Sequence, residues 1–206
     1  MRQLSRVEGV RRHILQGLRN GDQRPGAVIN VRDIAVGLGT SPTPVREALE
    51  RLAGEGIVHA GRGERGFTVP RYGARELSDL YRLLETLLQI AHRDHGPLKS
   101  DEDIRVSIED GAPALAVEGV LSLVASQTTS RILSGEIRRI INILGPYRIE
   151  EPRIIPNWRE ELGDLRASLI ANEQVVKSIR FHTKLRLQQV AALIESVDED
   201  DHGQIY

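Results

Sequence analysis

The chain of 206 residues contains no cysteine, which excludes disulfide bridges and thiolate-held metals as sources of stability or chemistry. It has no apolar run approaching the roughly 18 residues of a membrane span, and its first residues lack the apolar stretch of a secretory signal. A cytoplasmic protein with no membrane partner is the expectation. Lysine is absent from residues 1–72, where all 12 basic side chains are arginine, and histidine is absent between His95 and His182. What remains, 40% hydrophobic residues over this length, is enough for one to two domains with genuine cores.

The net charge of −1 conceals an asymmetry. Residues 1–72 carry 12 basic and 7 acidic side chains, a balance of +5, whereas residues 73–206 carry 16 and 22, a balance of −6. A basic segment built only from arginine suits bidentate contacts to phosphates and base edges better than one built from lysine. The pattern therefore points to a nucleic-acid reader joined to an acidic partner domain.

The spacing of apolar residues gives that reader a shape. Val7, Val10, Ile14 and Leu18 recur at helical intervals and predict a first helix stopping near Gly21, followed by a turn at Arg24, Pro25 and Gly26. A shorter helix fits Val31 to Leu38, and Gly39 supplies the break that a helix-turn-helix places before its second helix. In Thr40 to Val58, Ser41 is a good N-cap and Pro42 suits the first helical position. Val45, Ala48, Leu49 and Leu52 then form one stripe, leaving Thr43, Arg46, Glu47, Glu50 and Arg51 on the opposite face. That face begins with a hydroxyl and an arginine at the end that a recognition helix presents to DNA. Taken alone, the segment is equally an ordinary amphipathic surface helix.

Its neighbours favour DNA. Ile57 to His59 and Phe67 to Val69 read as two short strands around the loop from Gly61 to Gly66, a wing whose three glycines allow close approach to a phosphate backbone. Its Arg62 and Arg65 would gain affinity by releasing counterions. No helix directly follows the loop, as a nucleotide-cradling turn would require.

The run RPGAVINVRDIAVGLGTSPTPVREALERLAGEGIVHAGRGERGFTVP resembles the winged-helix domain of the GntR family of bacterial transcription regulators. The resemblance implies that Arg32, opening the second helix, and Arg46, in the Pro-Val-Arg-Glu run, contact DNA. It further implies that Ser41 and Thr43 contact phosphates, and that Arg65 and Gly66 form the wing tip at the minor groove. Where many members carry a second arginine after the cap serine, this chain has Pro42, so one expected contact is missing.

Beyond Pro70, apolar spacing predicts a long helix from Ala74 to His95 and further helices over Ala114 to Ser126, Ser130 to Leu144, Trp158 to Ala171 and Val175 to Val197. Gly111, Gly145-Pro146 and Pro156 are read as breaks. Residues 198–206 are expected to be a disordered tail. In order and size this half resembles the all-helical effector (FCD-like) domain of the FadR-type branch, which implies dimerisation and a small organic acid or acyl ligand. Many members with that domain hold a metal through one aspartate and three histidines. Here the corresponding helix offers only Glu118, and His182 alone stands near the last histidine, so no metal cofactor is expected. The position where relatives place a carboxylate-binding arginine corresponds to Leu84. Arg138, Arg139 and His182 are the candidate effector-binding residues, for an organic acid or a more apolar metabolite.

The fold expected is mainly α: a winged helix-turn-helix over residues 1–72 and an all-α bundle over 73–197. The function expected is sequence-specific transcription regulation by a homodimeric repressor that reads a palindromic operator and responds to a small-molecule effector. Two alternatives stand: a helical domain that only dimerises, and a helical enzyme using Glu160, Glu161, Asp164 and His182. The second lacks a nucleophile-base pair, and acidic residues at this spacing usually form a solvated helix face.

Overall fold

A computed structural model describes residues 5–61, 66–94 and 113–202. Contacts divide the chain into two units, Met1–Arg71 and Tyr72–Tyr206.

In the first unit, helix α1 (Arg6–Asn20) starts where the Ser5 side chain accepts from the Glu8 amide and ends at Gly21, whose φ of 83° is the left-handed conformation a helix stop favours. Strand β1 (Val28–Ile29) follows the turn at Gly26. Helix α2 (Val31–Gly37) is capped by the Asn30 side chain, which accepts from the amides of Arg32 (2.9 Å) and Asp33 (3.4 Å). Gly39, at φ 58°, turns the chain into α3 (Pro42–Gly54). Strands β2 (His59–Ala60) and β3 (Phe67–Thr68) complete an antiparallel sheet of order β1-β3-β2, with Val28 and His59 both opposite Thr68.

Two differences from the sequence reading have local causes. The sheet has a third strand: Val28 and Ile29 follow a Pro-Gly turn too closely to show an alternating pattern, and only pairing with β3 makes them a strand. The wing strand starts at His59 because Ile57 (2% exposed) and Val58 (fully buried) are spent on the core. That core is the stripe of α3, Val45, Ala48, Leu49 and Leu52, all with no exposed surface, packed against Val10, Ile14 and Leu18 of α1. Arg11 of α1 adds an ion pair to Glu55 at the end of α3 (2.7 Å).

The second unit is helical throughout its described residues: α4 (Ala74–Arg93), α5 (Pro113–Gln127), α6 (Arg131–Arg148), α7 (Glu151–Ile154), α8 (Trp158–Ala171) and α9 (Val175–His202). Helix α4 buries Leu77, Tyr81, Leu84, Leu88 and Ala91 on one face and packs on α5, α6 and α9. The Gly145-Pro146 pair does not stop α6. Residues Ile143 to Arg148 are all buried, so packing on the bundle outweighs the lost amide and the clash that a helical proline brings, about 3 kcal/mol. The expected tail is also corrected in part, since α9 runs past Val197 to His202. Extending an existing helix by a residue avoids the cost of nucleation, so helix persists where apolar content has ended. Residues 203–206 lie outside the described residues.

Candidate nucleic-acid interface

The recognition geometry follows from how α3 is held. Its apolar stripe is locked in the core, so Thr43, Arg46, Glu47, Glu50 and Arg51 are left exposed on the other side. Ser41 occupies the N-cap with extended backbone (φ −78°, ψ 160°), yet its hydroxyl makes no capping bond and is itself exposed. A serine at a helix N-terminus with a free hydroxyl beside unfilled backbone amides is an acceptor site for a phosphate oxygen. Arg32 is likewise exposed on the first turn of α2. Neither Arg32 nor Arg46 has an ion-pair partner among the described residues, so both guanidinium forks are available.

The wing is closed at its base, where the Gly61 amide donates to the Gly66 carbonyl (2.6 Å). Gly66 is exposed, and its φ of 64° is a conformation that residues with a Cβ rarely adopt. Arg65, with Arg62, lies outside the described residues. Pro42 is the first residue of α3, so the position that often carries an arginine in relatives contributes rigidity here.

The three candidate effector residues are not brought together. Arg138 is exposed and lines a recess between α5 and α6, whereas Arg139 pairs with Glu136 (2.9 Å). His182 is 2% exposed in the bundle core. There its Nδ1 lies 2.7 Å from Glu161 Oε1, while Nε2 has no hydrogen-bond partner. Leu84 is part of the apolar core. Among the described residues, no three histidine, aspartate or glutamate side chains are grouped to hold a metal.

Sequence reasoning missed what surrounds His182. Arg186 is wholly buried and bridges two carboxylates, donating from Nε (3.2 Å) and Nη2 (2.9 Å) to Glu151 Oε2 and from Nη1 to Glu161 Oε2 (2.7 Å). Tyr81 donates to Glu151 Oε1 (3.1 Å), and the buried Arg148 has its Nε 3.9 Å from the same oxygen. One network thus ties α4, α6, α7, α8 and α9. Burial acts to raise the Glu161 carboxyl, but the His182 and Arg186 side chains outweigh it and hold the group at about 2. Burial likewise opposes ionisation of Glu151, yet Arg186 and Arg148 keep it below the usual carboxylate range. His182 is pushed down by burial and by the Arg186 charge, so it is neutral, with Nδ1–H donating to Glu161. The solvated-face reading holds for Glu160 and Asp164, which are exposed, and fails for Glu161. The signal available in sequence was the spacing of His182 and Arg186, four residues apart on one helix face.

This is a winged helix-turn-helix DNA-binding unit followed by a unit that is helical throughout its described residues. Residues 6–69 match the family described as bacterial regulatory proteins, gntR family, so the first unit carries a GntR-family helix-turn-helix domain. It is similar to the HTH-type transcriptional regulator McbR of Escherichia coli (strain K12), with 28% identity over 156 residues, 72% of this chain and 61% of that protein. It is also similar to the Nta operon transcriptional regulator of Aminobacter aminovorans, with 40% identity over 83 residues, 40% of this chain and 39% of that protein. These alignments span less than two thirds of either relative. The solved structure of E. coli McbR/YncC has the same fold, with a TM-score of 0.64 at 23% identity, covering 94% of this chain and 99% of that one.

Proposed function

We propose that the protein is a cytoplasmic transcriptional repressor that binds a palindromic operator as a homodimer and releases it in response to a small-molecule effector held by the helical unit. The observation that carries the DNA-reading part is the exposed set Arg32 on α2 with Ser41, Thr43 and Arg46 opposite the buried α3 stripe, with no competing ion pair on either arginine among the described residues. One winged helix reads only a few base pairs, so useful specificity needs two. Helix α4 supports self-association through Leu83 and Ile90, 45% and 44% exposed and seven residues apart as along a coiled-coil seam, flanked by Leu80 and Leu87, which pack in part on the chain's own core.

The test starts from operator fragments selected from random duplex by the full-length protein. Arg46→Ala should weaken binding about tenfold to a hundredfold, the worth of one bidentate base contact, and relax preference at one position of each half-site. Arg32→Ala should also weaken binding. Selection of no preferred sequence, or an Arg46→Ala variant with wild-type affinity, would defeat the reading. Leu83→Asp should shift the protein from dimer to monomer in sedimentation and lower operator affinity. A second reading, in which the helical unit only dimerises, is favoured by the bundle centre being filled with the chain's own ion network. It predicts that no metabolite raises the melting temperature.

A further inference from the structure

The bundle core uses its buried Arg186 internally, but a different pair of arginines is unspent. A recess of about 450 Å³ lies at the junction of α5 and α6, and Arg131 and Arg138, both exposed, line it. Neither has an ion-pair partner among the described residues, whereas Arg139 pairs with Glu136 (2.9 Å) and Arg153 with Glu150 (3.1 Å). The nearby carboxylate of Asp94 accepts from the Thr128 hydroxyl (2.8 Å) and is not part of the lining. Two cations uncompensated among the described residues are out of keeping with a segment whose balance is −6.

Their spacing selects a ligand shape. Arg131 and Arg138 are seven residues apart on one helix, so they share a face with Cα atoms about 10 Å apart. Between them lie Ser134 and Gly135, which also line the recess. A Cβ added at Gly135 would meet no atom within 4 Å, so the absent side chain leaves open space between the two guanidinium groups. The Ser134 and Thr129 hydroxyls in the lining have no hydrogen-bond partner among the described residues. The volume is in the range of small-metabolite sites. Guanidinium groups at both ends match anionic ends, and the free Ser134 hydroxyl between them, with Thr129 beside Arg131, matches a hydroxylated middle.

We propose that the α5–α6 recess binds a doubly anionic, polyhydroxylated metabolite of the sugar-bisphosphate class and that this is the site through which operator affinity is regulated. The proposal rests on the reading of the chain as an effector-responsive repressor. Titration calorimetry of the full-length protein with fructose 1,6-bisphosphate should show saturable binding of one molecule per chain, with fructose silent and inorganic phosphate at least about tenfold weaker. Binding should fall at least about tenfold in an Arg131→Ala/Arg138→Ala variant and in Gly135→Leu, which fills the recess. The leucine variant should melt no lower than wild type, because a helical glycine is replaced where space is open. Operator affinity without the bisphosphate should be unchanged in both variants, and its response to the bisphosphate should be lost.

Failure of the bisphosphate to bind, equal binding by the variants, or no advantage over inorganic phosphate would overturn the recess as a site. Binding that depends on the arginines but leaves operator affinity unchanged would uphold the site and overturn the effector reading. A metabolite response that survives both variants would do the reverse.

Discussion

Arg186→Met separates the electrostatic role of the buried network from simple packing. The methionine keeps most of the volume and removes the one cation that, among the described residues, donates to both Glu151 and Glu161. Removing one partner of a buried ion pair costs about 3–5 kcal/mol. The Glu161 carboxyl is held at about 2, well below the usual glutamate value, by its His182 and Arg186 neighbours, a shift worth on the order of 3 kcal/mol. Because the folded value is depressed, that stability is present above about pH 4.5 and is lost as pH falls toward about 2; Glu151 acts in the same direction. In the variant both carboxyls rise, because His182 beside Glu161 and Arg148 beside Glu151 offset burial less fully without the Arg186 guanidinium, so part of the deficit is recovered on acidification.

The assay is urea unfolding followed by the fluorescence of Trp158, the only tryptophan, which is 5% exposed within the helical core and so reports the unit containing the network. Wild type should lose some stability between pH 7 and pH 5.5, because the unfolded chain takes up a proton on His182 that the folded chain, with this group pushed down, does not. The variant should be about 3–5 kcal/mol less stable at pH 7 and recover part of that loss at pH 5.5. A deficit below about 1 kcal/mol, or one independent of pH, would refute the assignment of Arg186 as the ion that keeps these carboxylates charged.

Other outcomes follow from the first unit. Leu49→Ala, at a position with no exposed surface between α1 and α3, should destabilise that unit by about 2–5 kcal/mol in thermal unfolding followed by circular dichroism. Ser41→Ala should leave stability within about 0.5 kcal/mol, less than ordinary cap removal, because its hydroxyl caps nothing. The same variant should weaken operator binding, so a stability loss near 1–2 kcal/mol with unchanged affinity would reverse its role. Gly39→Ala should cost about 1 kcal/mol through its φ of 58° and displace α3 relative to α2, measurable as weaker DNA binding.

Much of the DNA-reading unit was legible because its signals are local. The apolar stripe of α3, the serine before Pro42 and the glycine between two helices each act within a few residues, and the structure places Thr43 and Arg46 on the exposed face opposite that stripe. Strand β1 was not legible, since two residues have no periodicity of their own. The end of α6 was misread because Gly145-Pro146 is a local stop signal overruled by burial. The ion network was invisible for a related reason. Glu151, Glu161 and Arg186 look like ordinary charged positions along a helix, and Arg186 meets its carboxylates across separations of 35 and 25 residues.

Sequence by itself determined that the chain has an arginine-rich helix-turn-helix with a wing and a helical second half, because helix period, capping and turn chemistry are properties of short segments. Only the tertiary structure decided which charges are spent and which are free. Arg186 is consumed inside the bundle, Arg139 is paired at its surface, and Arg32, Arg46, Arg131 and Arg138 are left uncompensated among the described residues. The reason is physical: a charged side chain's role depends on what lies within a few ångströms of it, and packing brings together residues that the chain itself keeps far apart.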